Sequence, residues 1–490
     1  AVKLSSFLLT QNLVFMRICS IKVYMNLDNS IVILYVVLVV FVGLFCARRT
    51  KSFKDFAISD MNFGAFAIFA TLSASFIGGG YSFGNAAKVF DSGIFYSVAL
   101  IGFSLQIILV GIFIAPKMSA HDGAVSVGDI LEPTYGKPAR VIGGLLSFVS
   151  CAGILGAQLG AMGLIINTFF GISIASSIVI GCLIVMLYST VGGISAVVWT
   201  DVLQFCLLIV AVPVIFCLGL NECGGWSELI AKLPAQHLKI IPEGSSVLQF
   251  VSLFLVFVLG ETLVPPYVQR LLVSKDKKKL AGATIGSGLL SVPFFLIAGG
   301  LGLIAMVLLP EINSNAVFPS MINLLVPIGL KGIVISGVVA IIMSSADSFL
   351  LSSSVGIVQD VFMPLTSDKW HDDKYKFRLA RVVNLVTGLS AMTISMFIPN
   401  MLDILVFAYN FWAPMILVQL IAALLKKTVT KASFFGGFAG GLVGSVLWNM
   451  FGSKILPIDS IIVGVVCNFA VFYIMNMRSK PAAVGSEAVA

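Results

Sequence analysis

Residues 341–356 read IIMSSADSFLLSSSVG. This stretch places a carboxylate and a row of hydroxyls inside an apolar run long enough to cross a bilayer. An acidic residue at the centre of a spanning helix costs roughly 2.5 to 3.5 kcal/mol, so it is rarely kept without an ion or a protein partner. At about 100° per residue, Asp347 borders one helix face. That face consists of Ile341, Ser344, Ser345, Ser348 and Ser352.

Two interpretations of this face are open. Hard oxygen ligands suit sodium and not a soft metal, which favours an ion pathway. The alternative is a polar interface at which serines let two helices pack closely. Interface packing does not require a carboxylate, so Asp347 favours the ion pathway.

The composition indicates a membrane protein. Of the 490 residues, 59% are hydrophobic and 11% are charged, and the mean hydropathy of +1.06 excludes a soluble globular protein. Apolar runs of spanning length predict an all-α polytopic membrane protein with about 13 transmembrane helices. The runs lie near 30–48, 63–90, 93–118, 140–168, 172–190, 197–220, 247–270, 281–309, 332–359, 379–398, 402–425, 432–451 and 457–476.

The basic residues predict the orientation, because Lys and Arg are retained on the cytoplasmic side of a membrane. Alternate connections between the spans carry 22 of them, Arg270 included, and the opposite connections carry five. The prediction is an integral protein of the plasma (inner) membrane, with the amino end outside and the carboxyl tail in the cytoplasm. The net charge of +8 is then a topology signal, and nucleic acid is not predicted as a partner.

Catalytic and metal-binding patterns are weak. The eight cysteines and three histidines are scattered without ligand spacing, so we predict neither a disulfide framework nor a metal centre. An enzyme would need a nucleophile with a base, or a metal cluster, and we predict no enzyme. A channel would show pore repeats or filter loops, which the sequence does not, and a channel is therefore the less favoured alternative.

Three consecutive glycines interrupt the second apolar run. They are Gly78, Gly79 and Gly80, within the stretch ASFIGGGY at 74–81. Glycine weakens a helix, so we expect a break at mid-membrane depth with freed carbonyls. Such backbone is tolerated in a bilayer only where it is buried in protein or lines a cavity, and transporters use it to hold substrate and ions. A close crossing of small residues is the alternative.

Four motifs carry a resemblance to a known family. They lie at 101–118, 188–204 (YSTVGGISAVVWTDVLQ), 267–270 and 343–348. Together with the broken second span, they make the chain similar to the sodium:solute symporter family over roughly residues 30–450, and most of all to its high-affinity choline transporter branch. The resemblance implies sodium-coupled import of a small organic solute by alternating access. The expected partners are a small organic cation or zwitterion and the lipid bilayer. No obligate protein partner is predicted.

The family resemblance implies a leucine-transporter-type fold with two five-helix repeats of inverted topology. Each repeat is expected to begin with a broken helix. In the second repeat Pro265 and Pro266 supply a cause for the break, because tandem prolines remove two amide donors. The implied parts are a doubtful N-terminal extension at 1–24, a single transporter domain at 25–480 with a peripheral helix at 30–48, repeats at 63–220 and 247–425 and peripheral helices at 432–476, and a short cytoplasmic tail at 481–490.

The resemblance also implies the ion ligands. Some members have a second sodium site, and the extra carboxylate Asp347 agrees with the choline branch. Sodium is therefore the expected cofactor, and chloride is compatible with the resemblance. The main sodium site falls on Ala74, Ile77, Ile341, Ser344 and Ser345, and the second on Asp201, Ser344, Asp347 and Ser348.

The substrate is implied less directly. The tryptophans of the choline cage fall on Phe76, Ala157, Val264 and Leu405, of which one is aromatic. Other rings are available in span eleven, at Phe407, Tyr409, Phe411 and Trp412. Because aromatic faces attract a quaternary cation, we predict choline or a related quaternary ammonium, with proline or another small amino acid as the alternative. The candidate contacts are Phe76, Gly79, Tyr81, Gln158, Glu261, Tyr267, Tyr409 and Trp412.

Overall fold

The computed structural model describes residues 26–48, 50–59, 63–274, 276–366, 372–398 and 401–478. Within these ranges every regular element is helical, as the composition predicts. The predicted extension at 1–24 and the tail at 481–490 lie outside the described residues. An apolar chain in lipid must satisfy its backbone hydrogen bonds within each segment, and helices do so.

Fifteen helices form the body of the described chain. In order, they are α1 (Leu27–Ala47), α2 (Ala65–Phe76), α3 (Gly79–Ser92), α4 (Phe95–Phe113), α5 (Lys137–Phe170), α6 (Ile174–Glu222), α7 (Val247–Leu259), α8 (Pro265–Val273), α9 (Lys277–Leu308), α10 (Leu330–Gly356), α11 (Asp373–Phe397), α12 (Met401–Asn410), α13 (Ala413–Leu424), α14 (Lys431–Met450) and α15 (Ser460–Arg478). Shorter helical pieces are Phe53–Ala57, Ala115–His121, Val127–Tyr135, Trp226–Lys232, Ala235–Leu238, Ser314–Ala316, Val317–Leu325, Ile357–Phe362, Met363–Leu365 and Gly452–Lys454.

The number of membrane spans is only partly fixed by these helices. In the described residues, eight helices are long and apolar enough to cross a bilayer, or ten spans if each bent pair counts as one. The 49-residue α6 is about 74 Å long at ~1.5 Å per residue, more than twice the ~30 Å hydrocarbon core, so it has room for two predicted spans. The total of 13 stays a prediction.

Gly193 divides α6. Its backbone has φ 60° and ψ −161°, a conformation that glycine adopts without steric cost. A Cβ atom there would lie 2.8 Å from the backbone of Phe56. The sequence predicts a short turn between the spans at 172–190 and 197–220. The structure has this one non-helical residue instead, because glycine permits both the dihedral angles and the close contact.

The helix α10 lies at the centre of the protein. Every residue from Val334 to Gly356 is buried, and α10 packs against α1, α5 and α6. By contrast, 28% of the most apolar segment of α1 and 22% of that of α15 are buried. Large apolar side chains such as Leu34 and Phe41 of α1 face outward. The serine and aspartate face of α10 is therefore inside the protein and not against lipid.

Two helices are interrupted where the sequence predicts breaks. Between α2 and α3, Ile77 and Gly78 leave the helical conformation and the axis bends by 46°. Between α7 and α8, Leu263 has a positive φ of 58°. The tandem prolines occupy the first turn of α8, where a missing amide donor costs nothing. A third interruption, with a bend of 56°, separates α12 from α13.

Candidate functional site

The predicted main sodium site is an array of oxygen atoms between α2 and α10. The Ser344 hydroxyl donates to the Ala74 carbonyl at 2.9 Å and to the Ile341 carbonyl at 3.1 Å. The Ser345 hydroxyl donates to the Ser75 carbonyl at 3.2 Å. All of these residues are buried. The oxygen-bearing groups of Ala74, Ile341 and Ser344 therefore adjoin one another, and Ser345 lies beside them.

The break in the second span creates this array. The last carbonyls of a helix have no intrahelical partner, and α2 ends at Phe76, so the carbonyls of Ala74 and Ser75 become available. Ile77, the fifth predicted ligand, lies at the break, and its amide donates to the Ser73 carbonyl at 3.0 Å. A Cβ atom on Gly78 would lie 2.9 Å from the Ser345 hydroxyl oxygen, so glycine allows the two segments to meet. These hard oxygens fit a sodium ion.

The predicted second sodium site contains a guanidinium group. Nη2 of Arg270 lies 3.0 Å from a carboxylate oxygen of Asp201 and 2.5 Å from the hydroxyl oxygen of Ser348. Arg270 was predicted to lie in an inner loop, and this prediction was wrong, because the residue is in α8 and buried. The side chain is 2% exposed and pairs with a buried carboxylate. A count of basic residues does not reveal that Arg270 is buried. The positive-inside rule uses only the position of a basic residue at the end of an apolar run, and it contains no information about the partner of that residue.

The charges around Arg270 do not balance. Asp347 receives the Tyr188 hydroxyl at 2.9 Å and the Ser348 hydroxyl at 3.1 Å. Asp201 receives the Thr71 hydroxyl at 2.5 Å on one oxygen, and its other oxygen has no hydrogen-bond partner among the described residues. Among the described residues only Asp201 pairs with the guanidinium, and Asp347 reaches it through the Ser348 hydroxyl. This leaves one formal negative charge that a single further cation would neutralise.

Glu261, one of the candidate substrate contacts, lies inside a cluster of three tyrosine hydroxyls. Its Oε1 accepts from Tyr267 at 2.7 Å. Its Oε2 accepts from Tyr81 at 2.5 Å and from Tyr409 at 2.9 Å. The hydroxyl oxygens of Tyr81 and Tyr409 are themselves 2.5 Å apart. We call Glu261, Tyr81, Tyr267 and Tyr409 the tyrosine–carboxylate cluster.

The interrupted helices bring the cluster together. Glu261 lies in the interruption between α7 and α8, and Tyr267 follows in the first turns of α8. Tyr81 is in the first turn of α3, and Tyr409 is in the last turn of α12. All four side chains are buried. Among the described residues, no ion pair involves Glu261, so this buried carboxylate is matched only by hydroxyl donors.

Aromatic rings surround the cluster. The ring centroids of Phe76 and Tyr267 are 4.3 Å apart, and those of Tyr81 and Phe103 are 4.4 Å apart. Phe257 and Phe295 extend this wall against Tyr81, and the sequence analysis did not select them or Phe103. The sequence contains many phenylalanines in apolar runs, so nothing distinguishes these three before the helices are packed. The cage positions implied by the resemblance at Ala157, Val264 and Leu405 hold buried aliphatic groups.

The remaining candidate contacts lie near the cluster with partners of their own. The Gly79 amide donates to the Gln158 side-chain oxygen at 2.9 Å. The Trp412 indole donates to the Thr262 carbonyl at 3.0 Å, next to Glu261 in the chain. Phe407 is 57% exposed, so it belongs to the outer surface.

The substrate pocket, by which we mean the space between Phe76 and the tyrosine–carboxylate cluster, is closed in this structure. The cavity beside Phe76 and Tyr267 measures about 10 Å³, which is the volume needed for about one water molecule. An organic solute needs the rings to move apart.

Known proteins resemble this chain in sequence. A model of the sodium:solute symporter family matches residues 56–444. The chain is 27% identical over 440 residues to high affinity choline transporter 1 of Homo sapiens, with 84% of this chain and 75% of that protein covered. It is 23% identical over 428 residues to the high-affinity proline transporter of Bacillus subtilis, with 83% and 89% covered.

The solved structures give the fold. A Na⁺-coupled sialic acid symporter, solved in a substrate-bound, outward-open state, superposes with a TM-score of 0.78 at 20% identity, over 94% of this chain and 99% of that chain. The predicted leucine-transporter-type fold is thereby confirmed.

Proposed function

The chain belongs to the sodium:solute symporter family, and we propose that the small solute it carries with sodium is an organic cation, choline or a related quaternary ammonium. Membership of the family makes the chain a transporter that couples sodium to a solute. The chemistry is therefore binding and release, with no covalent step. The identity of the solute depends on the chemistry of the pocket, and sodium favours the binding of that solute.

The tyrosine–carboxylate cluster is the observation that supports an organic cation. Glu261 is 2% exposed and has no cationic partner among the described residues. A buried carboxylate is costly unless a cation or a proton neutralises it. The negative faces of Tyr81, Tyr267 and Phe76 attract a quaternary ammonium, and a carboxylate beside them adds a full charge.

A zwitterion such as proline is the alternative, and two features of the pocket oppose it. The Gly79 amide, a donor that the broken helix offers to a substrate carboxylate, is taken by Gln158 at 2.9 Å. In its ionised form Glu261 would repel the carboxylate of an amino acid. The proline transporter among the relatives keeps this alternative worth testing.

Sodium at the oxygen array would favour solute binding through the second span. Ala74 contributes a carbonyl to that array, and Phe76, two residues later, contacts Tyr267 of the pocket. Sodium bound between Ala74 and Ser344 would hold the end of α2 against α10 and so fix the ring of Phe76. The membrane potential adds roughly 2.3 kcal/mol per charge and 100 mV to inward movement.

The orientation of the chain is inferred from its basic residues. With Arg270 removed from the count, the ratio of basic residues becomes 21 to 5, which still favours a cytoplasmic carboxyl tail. We place the protein in the plasma (inner) membrane, with α1 beginning outside.

A substrate panel tests the proposal. Purified protein in proteoliposomes would be given radiolabelled choline, betaine, proline or glucose, each with and without an inward sodium gradient. We expect choline to accumulate only with the gradient, and betaine and proline to accumulate far less. Sodium-driven accumulation of proline without choline would overturn the assignment and support the amino-acid alternative.

A further inference from the structure

Three oxygen atoms of the tyrosine–carboxylate cluster form a triangle. The edges are 2.5 Å from Glu261 Oε2 to Tyr81 Oη, 2.5 Å from Tyr81 Oη to Tyr409 Oη, and 2.9 Å from Tyr409 Oη to Glu261 Oε2. These are the separations of O–H···O hydrogen bonds. Oxygens this close repel one another unless a hydrogen lies between them, so each edge needs one hydrogen.

The tyrosines do not supply enough hydrogens for this triangle. Each phenol has one, so Tyr81 and Tyr409 fill two of the three edges. Tyr267 cannot help, because its hydroxyl donates to the other carboxylate oxygen at 2.7 Å. The third hydrogen has to come from Glu261 itself, so in the protonated form its Oε2 accepts from one of these two tyrosines and donates to the other.

We propose that Glu261 is a proton-binding site that is protonated in this closed arrangement, and that the transported organic cation displaces the proton. The displacement half of this inference rests on the proposed function. When the cation enters, the O–H bond of the carboxylic acid breaks and its electron pair stays on the Glu261 oxygen. The proton passes to water in the entry path, and the carboxylate then faces the cation.

The surroundings of Glu261 favour one positive charge at a time. The titratable groups that contact it are Tyr81 of α3, Tyr267 of α8 and Tyr409 of α12. Cys151 of α5 interacts electrostatically with Glu261, as Arg270 does with Tyr267 and Tyr96 with Tyr409. Arg270 is engaged by Asp201, so in the part of the chain that the structure describes no fixed cation pairs with Glu261. A proton in the closed state and an organic cation in the loaded state each remove the cost of burying the charge.

The inference has a measurable consequence for binding. A proton and a cation that compete for one site are linked, so the apparent affinity for choline should rise about tenfold for each pH unit over the range in which Glu261 is protonated. Raising the pH removes the competing proton and therefore tightens binding. Sodium binding at Ser344 and Ser345 involves a different carbonyl and hydroxyl array and should not show this slope.

Calorimetry of choline binding in saturating sodium would count the protons. Titrations in two buffers of different ionisation enthalpy should give one proton released per choline for the wild-type protein. Glu261→Gln has a side chain of similar size with no titratable proton, so proton release and its pH slope should vanish. Glu311→Gln, at an exposed position, is the control and should behave as wild type. Choline binding without proton release would overturn the inference while leaving the proposed function intact.

Infrared spectroscopy tests the proton site without any substrate. We expect a carboxylic acid carbonyl band that disappears in Glu261→Gln and persists in Glu311→Gln. Tyr409→Phe removes one corner of the triangle, so the hydroxyls of Tyr81 and Tyr267 then satisfy an ionised Glu261, and the band should weaken although the carboxyl group is still present. If the spectra of the wild-type protein and of Glu261→Gln showed the same acid band, the inference would be overturned even if choline failed to bind.

Discussion

At Glu261, one buried carboxylate receives hydroxyls from three tyrosines that are far apart in the chain. Tyr81 and Tyr409 are separated by 328 residues. The sequence allows each of these residues to be selected as a candidate contact, but it contains no signal that the three hydroxyls converge on one carboxyl group. Their meeting depends on three helix interruptions whose positions relative to one another are set only by packing.

Phe76 provides a test of the substrate class at the residue scale. Phe76→Leu removes a cation–π partner, so we expect choline binding to weaken by on the order of 1 to 2 kcal/mol, whereas Phe76→Trp should bind as well or better. Phe407→Leu, on the exposed surface, is the matched control. In a carrier of amino acids, substrate binding would depend on the volume of the side chain at position 76 instead. Leucine would then weaken binding only mildly, and tryptophan would crowd the pocket. That pattern would count against a quaternary ammonium.

Asp347 tests the charge balance around Arg270. In Asp347→Asn the guanidinium is matched by Asp201 alone, and the surplus negative charge that could hold a second cation is gone. We expect a several-fold higher half-saturating sodium concentration, or loss of active uptake with residual exchange of choline. Sodium titration of uptake measures this, with Asp91→Asn at an exposed position as control. A wild-type sodium response would mean that Asp347 only anchors Tyr188.

At the scale of elements, the positions of the helix interruptions were more predictable than the contacts that residues near them make. Gly78-Gly79-Gly80 and Pro265-Pro266 predict interruptions because glycine and proline weaken helices by local physics. The buried position of Arg270 could not be predicted in this way, because its ion pair with Asp201 joins two helices distant in sequence. The main sodium site between α2 and α10 was predicted from the family resemblance, together with an oxygen-rich helix face that is visible in the sequence.

The contact between α2 and α10 can be tested by removing its hydroxyls. Ser344→Ala with Ser345→Ala deletes two oxygens that lie against the carbonyls of Ala74 and Ser75. We expect sodium activation of uptake to be lost or shifted at least tenfold, while the purified protein keeps its thermal unfolding midpoint within a few degrees. Ser390→Ala on the outer face of α11 is the control. Unchanged sodium activation in the double variant would refute the assignment.

At the scale of the whole molecule, the sequence is sufficient for the fold class and insufficient for the conformational state. Apolar runs predict a helical membrane protein, and the motifs predict the inverted-repeat fold. The closed pocket depends on how the two halves are placed against each other, which no local pattern records. The tight packing of α10 against α5 and α6 implies that opening requires movement of neighbouring helices and not only of side chains.

The central claim is that Glu261 makes a sodium-dependent site for an organic cation. Choline uptake into proteoliposomes, measured for the wild-type protein and Glu261→Gln with and without an inward sodium gradient, tests it most directly. We predict accumulation by the wild-type protein only when the gradient is present, and at least a tenfold loss in the variant, which keeps the size of the side chain but cannot carry a negative charge. Accumulation of choline by Glu261→Gln at the wild-type rate, or uptake by the wild-type protein that ignores sodium, would contradict the claim.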